Sequence, residues 1–504
     1  MVIAGCSMQH IVLLGGGLAH SVAIKVIHDF LMLECPNIRL TLISNWDYTY
    51  YSAMFPGVLS GQYREEDTRI DLRPLAYACN AEFLLGTAVS IDPRARRVVM
   101  QNGQSIDYDI LSINIGSRTL GTCSVPGVEK WAILTRPMNL FIEKLAALED
   151  QLKHKEGPVQ LLVVGSGVSG IELICSLKYR LLSKFPQGVV ATLVDKNAAV
   201  ATAIQPPYKA VAQKNLERYD IQAMFNCRVR QVCGPGDLEL EDGRHIRGDI
   251  VIWATGPEPQ PLETGLDSCH RGFIKVKQSL QVMDFDNIFA GGDCVTMQGM
   301  PHGFPPKTGV HAVQEGPILA LNVIACAKAR LFDLPISLML YEPSADLLQL
   351  VNFGDGRGLA TKYGMTFSGK WTYELKSYQD KRLISRFSPA VLLGEDGYRH
   401  YQCHSLPAFS REEIYTYRKT TSDSEWMHFV YDMEIKHTSL DSDMRELTGA
   451  EAFQLLWEAS DLVKEDSATE FRELLHVLKR TDVDVAFRTD LVRCYQAAVA
   501  NIKI

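Results

Sequence analysis

The chain has 504 residues, 46% apolar and 22% charged, with a net charge of −8 at pH 7. At roughly 100–200 residues per domain, this length accommodates two to four domains, each able to bury a core. The acidic balance, with no basic domain standing out, argues against a nucleic-acid binder.

The start, Met1–His10, has no basic region, and the apolar run Ile11–Leu14 is too short for a signal sequence. No run approaches the ~18 continuous apolar residues of a membrane span. The expected compartment is the cytosol. The twelve cysteines are scattered without a C-x-x-C pair, the usage of reduced and mostly buried thiols.

The first element is a short apolar run ending at Gly15, read as a buried parallel strand. Gly15-Gly16-Gly17 follows, then helical periodicity from Val22 to Leu33, a stop at Pro36, and a second strand over Arg39–Ser44. The glycines thus sit at a strand-to-helix turn inside a βαβ unit. There Gly15 permits the tight turn and Gly17 a close approach to a pyrophosphate, whose charge meets the helix N-terminus. The motif departs from the full fingerprint twice. His20 stands at the third glycine position, and Ser44-Asn45 stands where an acidic residue is expected. A Ser or Asn can still bond a ribose hydroxyl.

Val159–Val164 begins a second unit of the same kind. Gly165-Ser166-Gly167-Val168-Ser169-Gly170 completes G-x-G-x-x-G, and the next strand, Val189–Asp195, ends in an acid. Gly170 permits close helix–strand packing. Asp195 is expected to accept hydrogen bonds from the adenosine ribose and to repel a 2′-phosphate, which favours NADH over NADPH.

A duplication follows from the register. Gly103, Ile106, Asp109, Ile110 and Gly116 recur as Gly243, Ile246, Asp249, Ile250 and Gly256, at a constant offset of 140 residues without a gap. Each copy starts at an Asn-Gly or Asp-Gly hairpin turn and runs into an apolar strand ended by glycine. One nucleotide-binding unit therefore appears twice, and two dinucleotides side by side are expected.

Downstream, an apolar strand ends in Gly291-Gly292-Asp293, followed by Pro305-Pro306-Lys307-Thr308-Gly309 and a helical apolar stretch over Val310–Ala327. With these motifs the chain resembles the pyridine-nucleotide-dependent flavoprotein family that contains type II NADH dehydrogenases and ferroptosis-suppressor-like quinone reductases. Through Thr41–Gly61, Arg69–Pro74 and Leu350–Ile384 it most resembles the NADH-dehydrogenase-like domain found fused ahead of selenophosphate synthetases. The resemblance spans about residues 10–387.

The resemblance implies an α/β fold with two Rossmann-like dinucleotide-binding domains, a C-terminal α+β region and a small helical tail. The implied FAD-binding domain is 1–118 with 280–330, the NAD(P)H-binding domain 119–279, the C-terminal family region 331–387, and the appendage 388–504. The implied FAD-binding residues are Gly15, Gly17, His20, Ser44, Pro56, Gly116, Ser117, Gly292 and Asp293. Of these, Asp293 would bond the ribityl chain, and Met54-Phe55-Pro56 would lie near the isoalloxazine. NADH would be held by Gly165, Gly167, Gly170, Asp195 and Gly256, with Glu172 near the nicotinamide. Lys307 would open a helix whose positive N-terminus stabilises reduced flavin.

Glu172, Lys307 and Gln314 are the implied catalytic residues. The family's quinone motif carries two glutamines, and here the positions hold Val310 and Gln314. His311 is a further candidate proton donor. No metal cluster is expected. A redox cysteine pair is not expected either, because Cys35 and Cys79 lie far apart and no cysteine occurs between Cys326 and Cys403. Cys294 reads as packing.

Gly369–Phe387 has helical spacing of Trp371, Leu375, Tyr378, Leu383 and Phe387 among basic residues. Two readings stand: a helix in a membrane interface, or a domain-closing helix. The tail carries capping-box spacing at Thr448/Glu451 and Ser467/Glu470, read as a small helical module for packing, dimerisation or a partner. The expected activity is FAD-dependent transfer of hydride from NADH and of electrons to an acceptor, with quinone first. The alternative is a nucleotide-sensing scaffold with structural FAD, kept open by His20 and Ser44. A homodimer, peripheral membrane contact and a role in selenium metabolism also stay open.

Overall fold

The computed structural model describes residues 8–393 except 33–34, 36, 201–205, 270, 301–304, 344–347, 363–364 and 390. The tail segments at Thr448 and Ser467 lie outside the described residues.

The apolar run Gln9–Leu14 is the central strand of a five-stranded parallel sheet. The order across it is Ile288–Ala290, Ile110–Ile113, Gln9–Leu14, Ile38–Ser44, Glu82–Leu85. Both faces are covered, so its strands are continuously apolar, and Ile11, Val12, Leu13, Ile110 and Leu111 are fully buried. Val159–Val164 is likewise the centre of a second parallel sheet, ordered Ile133–Leu134, Ile250–Trp253, Val159–Val164, Val189–Val194, Ile221–Met224. The chain enters this sheet after the first and returns to the first through Ile288–Ala290.

The duplication is visible bond by bond. Asp109 and Asp249 each take the backbone N–H of the strand facing them, from His10 at 2.8 Å and Gln160 at 2.7 Å. Each returns its own N–H to that same residue's carbonyl, at 2.8 Å in both cases. Upstream of each lies a three-stranded antiparallel sheet. One is built from Ala88–Asp92, Arg97–Met100 and Ser105–Asp107, the other from Val229–Gly234, Asp237–Leu240 and His245–Arg247. The Gly103 and Gly243 turns close the same hairpin in both, with φ of +84° and +83°.

Helix Leu18–Ile27 packs on helix Gly309–Phe332. The approach is close because residue 316 is glycine: a Cβ there would stand 2.7 Å from that of Val22. Gly309–Phe332 is long and apolar enough to cross a membrane by length and composition. The continuous-run criterion passes over it because Gln314, Glu315, Asn322 and Lys328 interrupt it. Two-thirds of its most apolar window is buried inside the protein, the state of a core helix.

The C-terminal region is an antiparallel sheet, Gln349–Asn352, Gly358–Lys362 and Met365–Gly369, followed by helix Lys370–Ser385. Trp371, Leu375, Ile384 and Phe387 are buried against the molecule, while Lys381 and Arg382 face solvent. Of the two sequence readings for this helix, the packing is that of a domain-closing helix. Tyr378 and Leu383 are half-buried.

Candidate active site

The first glycine turn opens on a cleft of about 420 Å³. Its wall runs from Ser44, Asn45 and Trp46 past Gly15–Gly17 and Asn114–Ser117 to Asp293, Lys307 and Gly309. Arg136 and Asn139 close the side nearest the second sheet.

Asn114 organises this wall. Its Nδ2 donates to the Gly291 carbonyl at 2.8 Å, and its Oδ1 accepts the His20 N–H at 3.3 Å. Its backbone N–H reaches Leu14 at 2.8 Å. A Cβ on Gly15, Gly17 or Gly292 would fall within 2.3 Å of an Asn114 atom. Here the structure adjusts the sequence argument. Gly17 is small to admit the Asn114 side chain, whereas Gly116, Gly167 and Gly256 face open space. Gly15 also has φ of +102°, matched by +111° at Gly165.

His20 is buried. Its Nδ1 lies 2.7 Å from the Gly15 carbonyl and its Nε2 2.8 Å from Ser112 Oγ. Burial holds its pKa down to about 4, so the ring is neutral and ties the turn to the sheet rather than facing the cleft. At the second turn Gly170 does what the spacing predicts, because a Cβ there would sit 1.9 Å from the Gly165 carbonyl oxygen.

Gly15 and Gly165 donate to Ile43 and Val194 at 2.7 and 2.8 Å, so Ser44 and Asp195 hold equivalent positions. The Asp195 carboxylate already accepts the N–H groups of Ser166 (2.5 Å) and Asn197 (2.7 Å), leaving its remaining lone pairs for a ligand. Ser44 Oγ accepts the Trp46 N–H at 3.3 Å.

Asp293 lines the cleft, accepting from Ser117 Oγ at 2.9 Å and pairing with Arg136 at 3.2 Å. Lys307 donates to the Val295 carbonyl, and its ammonium lies 5.1 Å from the centre of the Phe273 ring. Burial lowers its pKa, opposed by Glu315 and Asp293. Glu315 was not anticipated. It is fully buried, with Oε2 accepting the Gly292 N–H and Oε1 without a partner. Burial pushes it up to about 7.

Glu172 is buried on helix Val168–Lys184, and Oε1 accepts the Asn352 N–H at 2.8 Å. Burial raises it to about 7 against the pull of Lys376. Lys376 bonds Asp380 at 2.8 Å and the Ala53 carbonyl at 2.7 Å. Sequence reasoning missed Asn352, Lys376 and Asp380, since no motif marks them. Pro56 does not line the cleft. It lies in the first turn of a short helix, Phe55–Leu59, whose Phe55 packs edge-on against Phe141 with ring centres 5.1 Å apart.

Gln314 accepts from the Tyr341 hydroxyl at 3.2 Å, and His311 Nδ1 lies 2.8 Å from that same oxygen. Burial and Lys307 lower His311 to about 4, so at neutral pH the ring is uncharged. The described cysteines form no disulfide, and Cys294 is buried with its thiol on the Gly291 carbonyl, as packing.

The chain is similar to ferroptosis suppressor protein 1 of Taeniopygia guttata, 25% identical over 56% of this chain and 72% of that protein. It is 23% identical to a type II NADH:quinone oxidoreductase of Staphylococcus saprophyticus over 77% of this chain and 98% of that one. In fold it is similar to NDH2 from Plasmodium falciparum in complex with NADH (TM-score 0.62, 14% identity, 80% and 100% covered). It also matches the fold of the sulfide:quinone oxidoreductase from Aquifex aeolicus (TM-score 0.61, 19% identity, 79% and 95% covered). The family model for pyridine nucleotide-disulphide oxidoreductases matches residues 9–316, and the chain belongs to that family.

Proposed function

We propose that the chain is an FAD-dependent NADH dehydrogenase that passes electrons to a quinone. The carrying observation is the pair of equivalent glycine turns on two parallel sheets, one of them opening on a cleft. FAD belongs to the first turn, in the unit formed by 1–118 and 280–330, and NADH to the second, in 119–279.

The residues fit these groups. The cleft is glycine-walled at Gly15–Gly17 and is lined by Asp293. The N-terminus of helix Leu18–Ile27 has no acidic residue in its first turn to compete with a pyrophosphate. At the second turn Gly167 and Gly256 face open space that a dinucleotide can fill. Bound FAD would supply the hydride and electron chemistry; the protein supplies placement and charge.

Three groups of side chains divide the work. Asp293, held by Ser117 and Arg136, accepts hydroxyl hydrogen bonds inside the cleft. Lys307 and the N-terminus of helix Gly309–Phe332 place positive charge on the cleft wall, where negative charge is stabilised. Glu172 holds or releases a proton near pH 7 on the nicotinamide side.

Support for quinone comes from the relatives' activity and from the hydrogen-bonded group Gln314–Tyr341–His311 beside Lys307. Tyr341 closes an apolar run, Phe332–Leu340, in which Leu334, Met339 and Leu340 are more than half exposed. Buried Asn322 clamps both backbone groups of Met339, at 2.7 and 2.9 Å, so this run is held outward. We therefore place peripheral membrane contact here rather than on Lys370–Ser385. The scaffold alternative rested on His20 and Ser44. His20 lies in the core and Ser44 still presents a hydroxyl, so neither blocks the first site.

The test is NADH oxidation by the purified full chain, with and without a short-chain quinone. Quinone-dependent turnover by a yellow protein is expected. Yellow protein that oxidises NADH without responding to quinone removes the acceptor assignment, and colourless protein removes the flavin.

A further inference from the structure

Trp46 is 36% exposed and lines the cleft mouth beside Ser44 and Asn45. Its place is fixed from both sides. Its backbone N–H donates to Ser44 Oγ at 3.3 Å, and the Asp47 carbonyl accepts the Leu72 N–H at 2.8 Å. Its ring leans on Tyr48, with centres 6.5 Å apart and planes at 42°. Tyr48 is itself clamped by Tyr50 edge-on at 5.4 Å and by the Arg69 guanidinium at 5.0 Å.

The equivalence of the two turns gives this position a meaning. Asp195 and Ser44 match, and two residues on, Asn197 and Trp46 match. Each of the latter donates its N–H to the side-chain oxygen of the former. The second site thus has a carboxylate followed by an amide. The first has a hydroxyl followed by an indole. A neutral hydroxyl is a weaker acceptor for ribose than a carboxylate, while an indole face gains from stacking on a heteroaromatic base.

We propose that Trp46 is the adenine platform of the first dinucleotide site, stacking taking over from the ribose-binding carboxylate that this site lacks. The proposal rests on the reading of that site as the FAD site. It accounts for two things together: the departure at Ser44, and the exposed indole on the cleft wall.

The experiment is a titration of the flavin-stripped full chain with FAD and with FMN, on wild type, Trp46→Phe and Trp46→Ala. Tryptophan emission and flavin emission are followed. FAD is expected to quench a component of tryptophan emission that Trp46→Phe lacks. Trp46→Ala is expected to weaken FAD roughly 5- to 150-fold, the span of one base–aromatic stack. Trp46→Phe stays within several-fold of wild type, since a phenyl ring still stacks. FMN, which has no adenine, shows no difference between wild type and Trp46→Ala. Unchanged FAD affinity in Trp46→Ala overturns the proposal while leaving the cofactor reading intact. So does an equal loss of FAD and FMN, which would mean a general structural effect. No flavin uptake by wild type overturns the cofactor reading and the platform with it.

Discussion

Asn352 donates its backbone N–H to Oε1 of Glu172 at 2.8 Å, joining the C-terminal sheet to the helix that follows the second glycine turn. The Asn352 side chain extends the link, with Nδ2 on Gln62 Oε1 at 2.7 Å and Oδ1 accepting the Gly354 N–H at 2.8 Å. Three segments distant in sequence therefore meet at the carboxyl that the proposed reaction uses. Burial sets the Glu172 pKa near 7, and Lys376 and the Asn352 N–H keep it from rising further. The rate of cofactor reduction by NADH is expected to change across pH 6–8 in wild type and to be flat there in Glu172→Gln. Stopped-flow reduction as a function of pH reads this directly, and an unchanged profile in the variant would remove Glu172 from the hydride step.

Glu315 makes a second, thermodynamic prediction. Its folded pKa is raised to about 7 from 4.5, by burial first, with the Gly292 N–H and Lys307 opposing. A carboxyl raised in this way adds stability that is full below pH 4.5 and lost as pH rises through 7. The loss amounts to up to about 3 kcal/mol. Glu172 shifts in the same direction. Thermal unfolding at pH 5 and pH 8 should therefore differ less in Glu315→Gln than in wild type, and least in the double variant with Glu172→Gln. An equal or larger gap in Glu315→Gln would mean that this carboxyl is already ionised at neutral pH.

Much of this was legible in the sequence because it depends on local chemistry. The glycine turns, the Asn-Gly and Asp-Gly hairpins and the 140-residue repeat each rest on backbone conformations that few residues adopt. The strands were readable because parallel sheets bury both faces. What stayed hidden are groups whose meaning comes from distant partners. Asn114 looks like any polar residue after a strand until Gly291 and His20 arrive from elsewhere. Asn352, Lys376 and Asp380 carry no spacing signal. The Lys370–Ser385 helix left two readings open because its aromatic residues and lysines suit a lipid interface and an internal face equally well. Tertiary packing decides, burying Trp371 and pairing Lys376 with Asp380.

The two turns can be separated by single methyl groups. Gly170→Ala drives a Cβ to 1.9 Å from the Gly165 carbonyl oxygen, and Gly15→Ala drives one to 2.3 Å from that of Asn114 at φ +102°. Gly170→Ala is expected to keep flavin and lose NADH binding at least tenfold; Gly15→Ala is expected to purify without flavin. Flavin content per chain and NADH titration distinguish them. Loss of flavin in Gly170→Ala would reverse the assignment of the two sites.

Asp195 should set the choice of nucleotide. Its carboxylate accepts the Ser166 and Asn197 N–H groups and, in the proposed NADH site, would meet the adenosine ribose. Asp195→Asn removes the charge at constant size, and discrimination against NADPH is expected to fall on the order of tenfold or more. The ratio of kcat/KM for NADH and NADPH measures this. An unchanged ratio would place the 2′-hydroxyl elsewhere.

The outward-held run Phe332–Leu340 predicts a lipid effect. Replacing Leu334, Met339 and Leu340 by serine should weaken sedimentation with phospholipid vesicles several-fold without changing reduction by NADH. Equal sedimentation of wild type and variant would move any membrane contact off this run.

The central claim is that one chain holds a flavin that NADH reduces and a quinone reoxidises. Anaerobic titration of the purified full chain with NADH, followed by a short-chain quinone, tests it most directly. The account predicts bleaching of the flavin absorption at about one NADH per flavin and its return when quinone is added. A flavin band that NADH leaves unchanged would contradict it.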